Sequence, residues 1–124
     1  MIHGQFREDG GLMFEVGLVT SDGEILTTDV LLDTGFTAGY LAIDKQDLEA
    51  FDWELSESDV MIPIAQGKGR FDIYDGLIII DGRQFAIPVQ VGKSLPEIII
   101  GVKWLKLFNL VVNYPNILTL EYKG

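Results

Sequence analysis

Asp33 has the setting best suited to acid–base chemistry in this 124-residue chain. It ends the apolar run Val30-Leu31-Leu32 and is followed directly by Thr34 and Gly35. Glycine accepts backbone angles that other residues avoid, so Gly35 lets the chain turn at once and lets another backbone come close. The Thr34 hydroxyl can bond a neighbouring backbone group and hold that turn. A carboxylate presented on such a turn is a candidate general base or general acid.

Two segments together resemble a known family. Leu31-Leu32-Asp33-Thr34-Gly35-Phe36-Thr37 is similar to the active-site loop of retropepsin-like aspartic proteases, especially the small prokaryotic members with Phe after the glycine. Those enzymes also carry a late apolar-apolar-Gly element beside the catalytic loop, followed by a short helix. Ile98-Ile99-Ile100-Gly101, followed by residues 102–108, is similar to that element. The order and spacing fit over residues 14–122.

The resemblance implies a role for each matching residue. Asp33 is expected to be catalytic, and Thr34 is expected to hold the loop of a partner subunit through its hydroxyl. The expected supporting residues are Gly35 in the catalytic loop and Ile99, Ile100 and Gly101 packed against it. Retroviral members follow the late glycine with Arg and then Asp or Asn, whereas Val102 and Lys103 stand there in this chain. The charged loop support of the viral enzymes is therefore not implied.

Only one Asp-Thr-Gly occurs in the chain. Peptide hydrolysis without a metal can use two carboxylates that share one proton, one as base toward water and the other polarising the carbonyl. The second carboxylate must then come from another copy, and a two-fold homodimer would place both Asp33 side chains at the axis. The alternatives are a turn residue that only receives backbone amides, a non-catalytic binding or assembly domain, and a protease half paired with a different partner.

A glycine-bearing segment, Gln66-Gly67-Lys68-Gly69-Arg70, lies between the two glycine elements and is a candidate flap that closes over substrate. An ordinary exposed hairpin is the alternative. A phosphate-binding loop is disfavoured because no helix follows and the Walker pattern is absent. Tyr74 is expected either to lean over the site or to pack in the core.

Apolar side chains around Phe36, Ile64 and Ile100 are expected to line the substrate pockets. Extended peptides with apolar residues at the cut are therefore the expected substrates, cleaved by an aspartic endopeptidase.

The elements that would position these residues form two similar halves. Strand patterns over 12–20 and 25–32 flank an Asp-Gly turn, and a second Asp-Gly turn at Asp81-Gly82 joins the strands of the later half. Each half ends in an apolar run, a glycine and a short helix, which indicates a weak internal repeat. The sequence predicts an all-β fold with pseudo-two-fold symmetry and one or two short helices, and the resemblance implies a closed retropepsin-like barrel.

Between the halves, the pattern predicts a helix over 45–51 capped by Asp44, then an irregular acidic connection over 52–58. The terminal segments 1–6 and 117–122 are expected to form the main dimer interface, because free strand edges seek pairing.

Composition limits the remaining possibilities. The length predicts a single domain over residues 1–124, and 48% hydrophobic residues suffice for a core. A net charge of -10 argues against nucleic acid and anionic membranes as partners. Cysteine is absent, so no disulfide or thiolate metal site exists. No cofactor or metal is expected, and the lack of a signal-peptide pattern makes a cytoplasmic protein the expectation.

Overall fold

The computed structural model of the chain describes residues 1–64 and 67–124. The strands of this part are β1 (Ile2–His3), β2 (Gln5–Phe6), β3 (Leu12–Val19), β4 (Ile25–Asp33), β5 (Leu41–Asp44), β6 (Glu54–Ile64), β7 (Gly67–Ile80), β8 (Arg83–Gly92), β9 (Ile99–Gly101), β10 (Phe108–Asn113) and β11 (Ile117–Tyr122). Its helices are α1 (Lys45–Leu48) and a 3₁₀ helix, Val102–Lys106. No helix in the described ranges is long and apolar enough to cross a membrane.

Six strands form a closed barrel in the order β3-β4-β9-β5-β8-β7. The ring is closed by antiparallel pairing of β3 with β7, in which Gly17 lies opposite Ile79 and Leu18 opposite Ile78. Strand β3 alternates as its pattern predicts, with Phe14 and Val16 directed into the core. The predicted all-β, closed-barrel fold with few helices is confirmed.

The barrel is built from two copies of one arrangement. Strands β3, β4 and β5 in the first half correspond to β7, β8 and β9 in the second. Strand β4 runs parallel to β9, just as β8 runs parallel to β5, while β3 pairs with β7 and β5 with β9 in antiparallel fashion. The predicted internal repeat is therefore a pseudo-two-fold axis within the chain, and the ends of β4 and β8 are equivalent positions.

Two Asp-Gly turns join the equivalent hairpins. Asp81 and Gly82 have φ angles of 54° and 73°, which is the left-handed pair that a tight hairpin turn requires. Gly23 has a φ of 90° in the turn between β3 and β4. These turns set the register of both hairpins and thus the point at which β4 and β8 end.

Two predictions for the connection between the halves need correction. The stretch 52–58 is not an irregular loop: β6 begins at Glu54 and pairs with β7 through two register shifts. An edge strand with both faces in water has no need of alternating apolar residues, so its pattern was not recognisable. The predicted helix over 45–51 is regular only over Lys45–Leu48, and Asp44 does cap it by accepting from the Gln46 N–H at 3.0 Å.

A second sheet of order β1-β11-β10 carries both terminal segments. Strand β11 pairs with β1 on one side and with β10 on the other, so the expectation of a free edge at 117–122 is wrong. The edge strands of this sheet are β1 and β10. Apolar side chains on and beside β10 are exposed, with exposed fractions of 49% for Val111, 47% for Val112 and 44% for Ile117.

Candidate active site

Asp33 is the last residue of β4, where the strand leaves the barrel wall. Parallel pairing sets Leu31 opposite Ile99, Leu32 opposite Ile100 and Asp33 opposite Gly101. Leu32 and Ile100 are buried while Asp33 is half-buried. The alternation of the strand therefore holds the backbone in the core and leaves the carboxylate at its boundary, followed by the exposed residues Thr34 and Gly35.

The Asp33 carboxylate is fixed by its own loop through one oxygen. The Gly35 N–H donates to Asp33 Oδ1 at 2.8 Å, and the Phe36 N–H donates to the Asp33 carbonyl at 3.0 Å. Oδ2 accepts no hydrogen bond from the described part of the chain. One oxygen thus sets the orientation of the carboxylate, and the other is available to a water molecule or a second carboxyl group.

The loop after Asp33 is held by the end of β9 and by the 3₁₀ helix that follows it. The Gly101 N–H donates to the Tyr40 carbonyl at 3.1 Å, and the Val102 N–H donates to the Phe36 carbonyl at 3.0 Å. The Trp104 indole N–H also donates to the Tyr40 carbonyl, at 2.8 Å. Backbone N–H groups and a neutral indole N–H therefore hold this loop, without a charged side chain among these three donors.

Gly101 has no room for a side chain. A Cβ at this position would lie 2.1 Å from the Gly39 carbonyl oxygen and 2.8 Å from the Phe36 carbonyl oxygen. Since both are backbone atoms, they cannot move aside cheaply. The structure thus places Ile99, Ile100 and Gly101 directly against the Asp33 loop, with the glycine at the closest approach.

Two residues that support the loop were not singled out from the sequence, namely Trp104 and Gln90. The Gln90 side chain is 5% exposed and donates through Nε2 to the Ala38 carbonyl at 3.1 Å. A Cβ on Gly39 would lie 2.3 Å from that nitrogen, so the glycine makes room for the contact. The position of Gln90 between Val89 and Val91 in β8 was the available signal, because a buried polar group requires a partner.

The proposed flap lies in the hairpin of β6 and β7. Gly67 pairs with Ile64, Lys68 with Pro63 and Gly69 with Ile62. Gly67 has a φ of 121°, which only glycine adopts readily, and Lys68 is exposed. Residue 66, the first of the predicted flap segment, lies outside the described residues.

Three residues expected near substrate have other surroundings. Tyr74 pairs with Val89 and packs against the hydrophobic core, which is the second of its two predicted positions. Phe36 is 7% exposed and Ile100 is fully buried, so neither lines an open pocket of this chain. The Phe36 ring packs against Gly101 instead, since its Cδ2 would lie 3.0 Å from a Cβ at that position. Ile64 is exposed and borders a cavity of about 570 Å³.

The equivalent of Asp33 in the second half is Gly92, which ends β8 and pairs with Asp44 at the end of β5. The Gln46 N–H and then the Leu95 N–H hold the pKa of Asp44 below its ordinary value, because both donate to its carboxylate. Asp44 thereby caps α1 and holds the segment 92–98 at Leu95.

Within the described residues, no group of three acidic, histidine or cysteine side chains could hold a metal ion.

Arg7 connects the segment 92–98 to the N-terminal part of the chain. Its guanidinium contacts both Asp9 and Glu97. The hydrogen bond from Arg7 lowers the pKa of Asp9 to about 2, with a further contribution from the Gly11 N–H. The segment 92–98 is therefore held at Leu95 by Asp44 and at Glu97 by Arg7.

Comparison with known proteins supports the fold. No protein-family model matches the sequence, and no curated protein matches it. Among solved structures, a retropepsin-like aspartic protease from Rickettsia conorii is similar with a TM-score of 0.62 and 18% identity, over 98% of this chain and 89% of that one. EIAV protease in complex with the inhibitor HBY-793 is similar with a TM-score of 0.60 and 18% identity, over 82% of this chain and 91% of that one. The fold of the chain is therefore retropepsin-like.

Proposed function

We propose that this chain is an aspartic endopeptidase that acts as a homodimer on extended peptides with apolar residues at the cut. The observation that carries the proposal is the Asp33 carboxylate, half-buried on a clamped loop with Oδ1 bonded to the Gly35 N–H and Oδ2 free of partners in the described residues. A carboxylate held in one orientation with an open oxygen is suited to activate water.

The requirement for a second copy follows from the single Asp-Thr-Gly of the chain. Two carboxyl groups in contact are needed to share one proton, and the chain has this loop only once. A two-fold dimer would supply the missing group as Asp33 of the partner subunit. The exposed Thr34 would then lie beside the partner's loop, in the role that the resemblance implies.

The proposed dimer surface is the sheet β1-β11-β10. Exposed Val111, Val112, Tyr114 and Ile117 give it an apolar edge, and such surfaces mark sites of protein association. The outer edge of β10 is also an unpaired strand edge, which in a dimer would be protected from other pairings.

The two carboxyl groups would divide the chemistry between them. The ionised Asp33 takes a proton from a bound water as its oxygen attacks the carbonyl carbon, and the protonated one donates its proton to the carbonyl oxygen. The carboxyl group that took the water proton then gives it to the amide nitrogen, while a hydroxyl of the tetrahedral intermediate gives its proton to the other carboxylate. The C–N bond breaks, and the pair again holds one proton. Two carboxylates in contact cannot both ionise cheaply, which keeps one proton between them.

Asp33→Asn tests the proposal, because the amide keeps the shape of the side chain and removes the base. We expect cleavage of a peptide library to fall by about a thousandfold or more, while the variant stays folded and dimeric. The matched control is Asp29→Asn, on the exposed side of the same strand, which we expect to cleave like the wild type.

The alternative function is a binding or assembly domain in which Asp33 only braces its loop. In that case Asp33→Asn would weaken the bond from the Gly35 N–H and lower the melting temperature. A wild-type protein that cleaves no library peptide, combined with a less stable variant, would contradict the peptidase proposal.

A further inference from the structure

A cavity of about 570 Å³ lies between the flap hairpin and the segment that follows β8. Its apolar wall consists of Ile64 and Phe71 from the hairpin, and of Val91 and Leu95 from the other side. This volume is within the range of ligand sites and can hold more than one side chain of a peptide.

Glycines on both sides of the cavity fix the ring of Phe71. A Cβ on Gly69 would lie 2.8 Å from Cε2 of Phe71, and a Cβ on Gly92 would lie 2.7 Å from Cε1. The ring therefore fits between the two backbones because neither has a side chain. The apolar wall exists before any ligand arrives, so little ordering is required on binding.

Some charged side chains of the cavity form ion pairs and others do not. Arg70 donates to both carboxylate oxygens of Asp59 at 2.9 and 3.0 Å, and the Asp59 N–H donates to Asp72 at 3.0 Å. Asp59 is thus ion-paired, whereas Asp72 accepts a backbone N–H and forms no ion pair with any residue that the structure describes. Lys45 and Lys93 also line the cavity, are exposed, and form no ion pair with any residue that the structure describes.

The lining of the cavity carries three basic against two acidic side chains, whereas the whole chain has 9 basic against 19 acidic residues. At physiological salt, charges more than about 8 Å away are largely screened. A ligand within the cavity would therefore meet this local excess of one positive charge rather than the net charge of -10.

We infer that this cavity selects peptides in which an apolar side chain is followed two positions later by an acidic one. Side chains two apart lie on the same face of an extended peptide, about 6.8 Å from each other. The apolar side chain would contact Phe71 and Leu95, and the carboxylate would meet Lys45 or Lys93. The inference rests on the proposed function, because it assigns a substrate class to that same enzyme.

The test compares two labelled peptides that differ only in having Glu or Gln two positions after a leucine. Binding is measured by fluorescence anisotropy with the Asp33→Asn variant, so that no cleavage intervenes. We expect the Glu peptide to bind about fivefold more tightly, and the preference to shrink at high salt.

Lys45→Met combined with Lys93→Met keeps the apolar stems and removes the charges. In this variant we expect the two peptides to bind within about twofold of each other. Lys106→Met, at an exposed lysine of the 3₁₀ helix, is the matched control and should retain the full preference.

Equal binding of the Glu and Gln peptides before any lysine is changed would overturn the inference. Cleavage by the wild type with no preference for Glu would overturn it too and leave the peptidase proposal intact. A Glu preference that depends on the two lysines, in a protein that cleaves nothing, would support this site and contradict the peptidase proposal.

Discussion

Gly101 and Asp33 lie opposite each other in the parallel pairing of β4 and β9. Close backbone packing requires the glycine, and the aspartate supplies a carboxylate at the end of the strand. The glycine lets the carbonyl groups of Phe36 and Gly39, in the Asp33 loop, come into contact with its Cα. The aspartate places one oxygen on a backbone N–H and leaves the other open. Together they convert the end of a buried strand into a fixed, accessible carboxylate.

Gly101→Ala tests this close packing. Its Cβ would meet the Gly39 carbonyl oxygen at 2.1 Å, so we expect a loss of about 3 kcal/mol of unfolding free energy, the cost of an overpacked core position. Gly10→Ala is the control, since its Cβ would meet nothing within 4 Å and only its φ of 86° is strained. Urea unfolding should show a loss of about 1 kcal/mol there. Equal losses in the two variants would contradict the packing argument.

At the scale of elements, the 3₁₀ helix after β9 and the strand β8 hold the Asp33 loop by neutral hydrogen bonds. Trp104 and Val102 act from the helix and Gln90 from the strand. The donors reach carbonyl groups at Phe36, Ala38 and Tyr40, which are spread along the loop. This spacing restrains the loop along its length rather than at one point.

Trp104→Phe removes one of these bonds and keeps an aromatic ring in place. We expect it to lower the unfolding free energy by about 2 kcal/mol and kcat/KM by about tenfold, because a misplaced loop slows the chemistry. The matched control is Trp53→Phe, whose indole N–H donates to the Val19 carbonyl at 2.8 Å, away from the loop. It should lose similar stability in a thermal melt and retain kcat/KM per folded molecule. Parallel losses of activity in both variants would show that Trp104 acts through stability alone.

The sequence predicted the elements whose patterns are strong. Alternation in β3, the Asp81-Gly82 turn and the apolar run that forms β9 each indicate one local structure, and the repeat of these signals indicated the pseudo-symmetry. The first part of β6, residues 54–58, was missed because an exposed, acidic edge strand has no apolar alternation.

The candidate site was predictable only in part, for a similar reason. Asp33 and Gly101 belong to motifs, whereas Gln90 and Trp104 reach the loop across 52 and 64 residues of chain. Such contacts depend on how the two halves pack, and no local pattern encodes them. The burial of Phe36 likewise follows from the approach of Gly101 to the loop.

At the scale of the whole molecule, the chain has one Asp-Thr-Gly, at the end of β4. Gly92, at the end of β8, lines the cavity beside the flap hairpin. The exposed apolar edge of β10 would give a second copy a surface to dock on. We therefore propose that one active site is made from Asp33 of two subunits.

Subunit mixing measures this claim most directly. Wild type and Asp33→Asn are unfolded and refolded together in equal amounts, and the rate of peptide cleavage is compared with that of the same total amount of wild type. If both carboxylates are needed, only wild-type pairs cleave, and the rate should be about a quarter of the reference. A rate of about half would mean that each Asp33 works on its own, and would contradict the shared site.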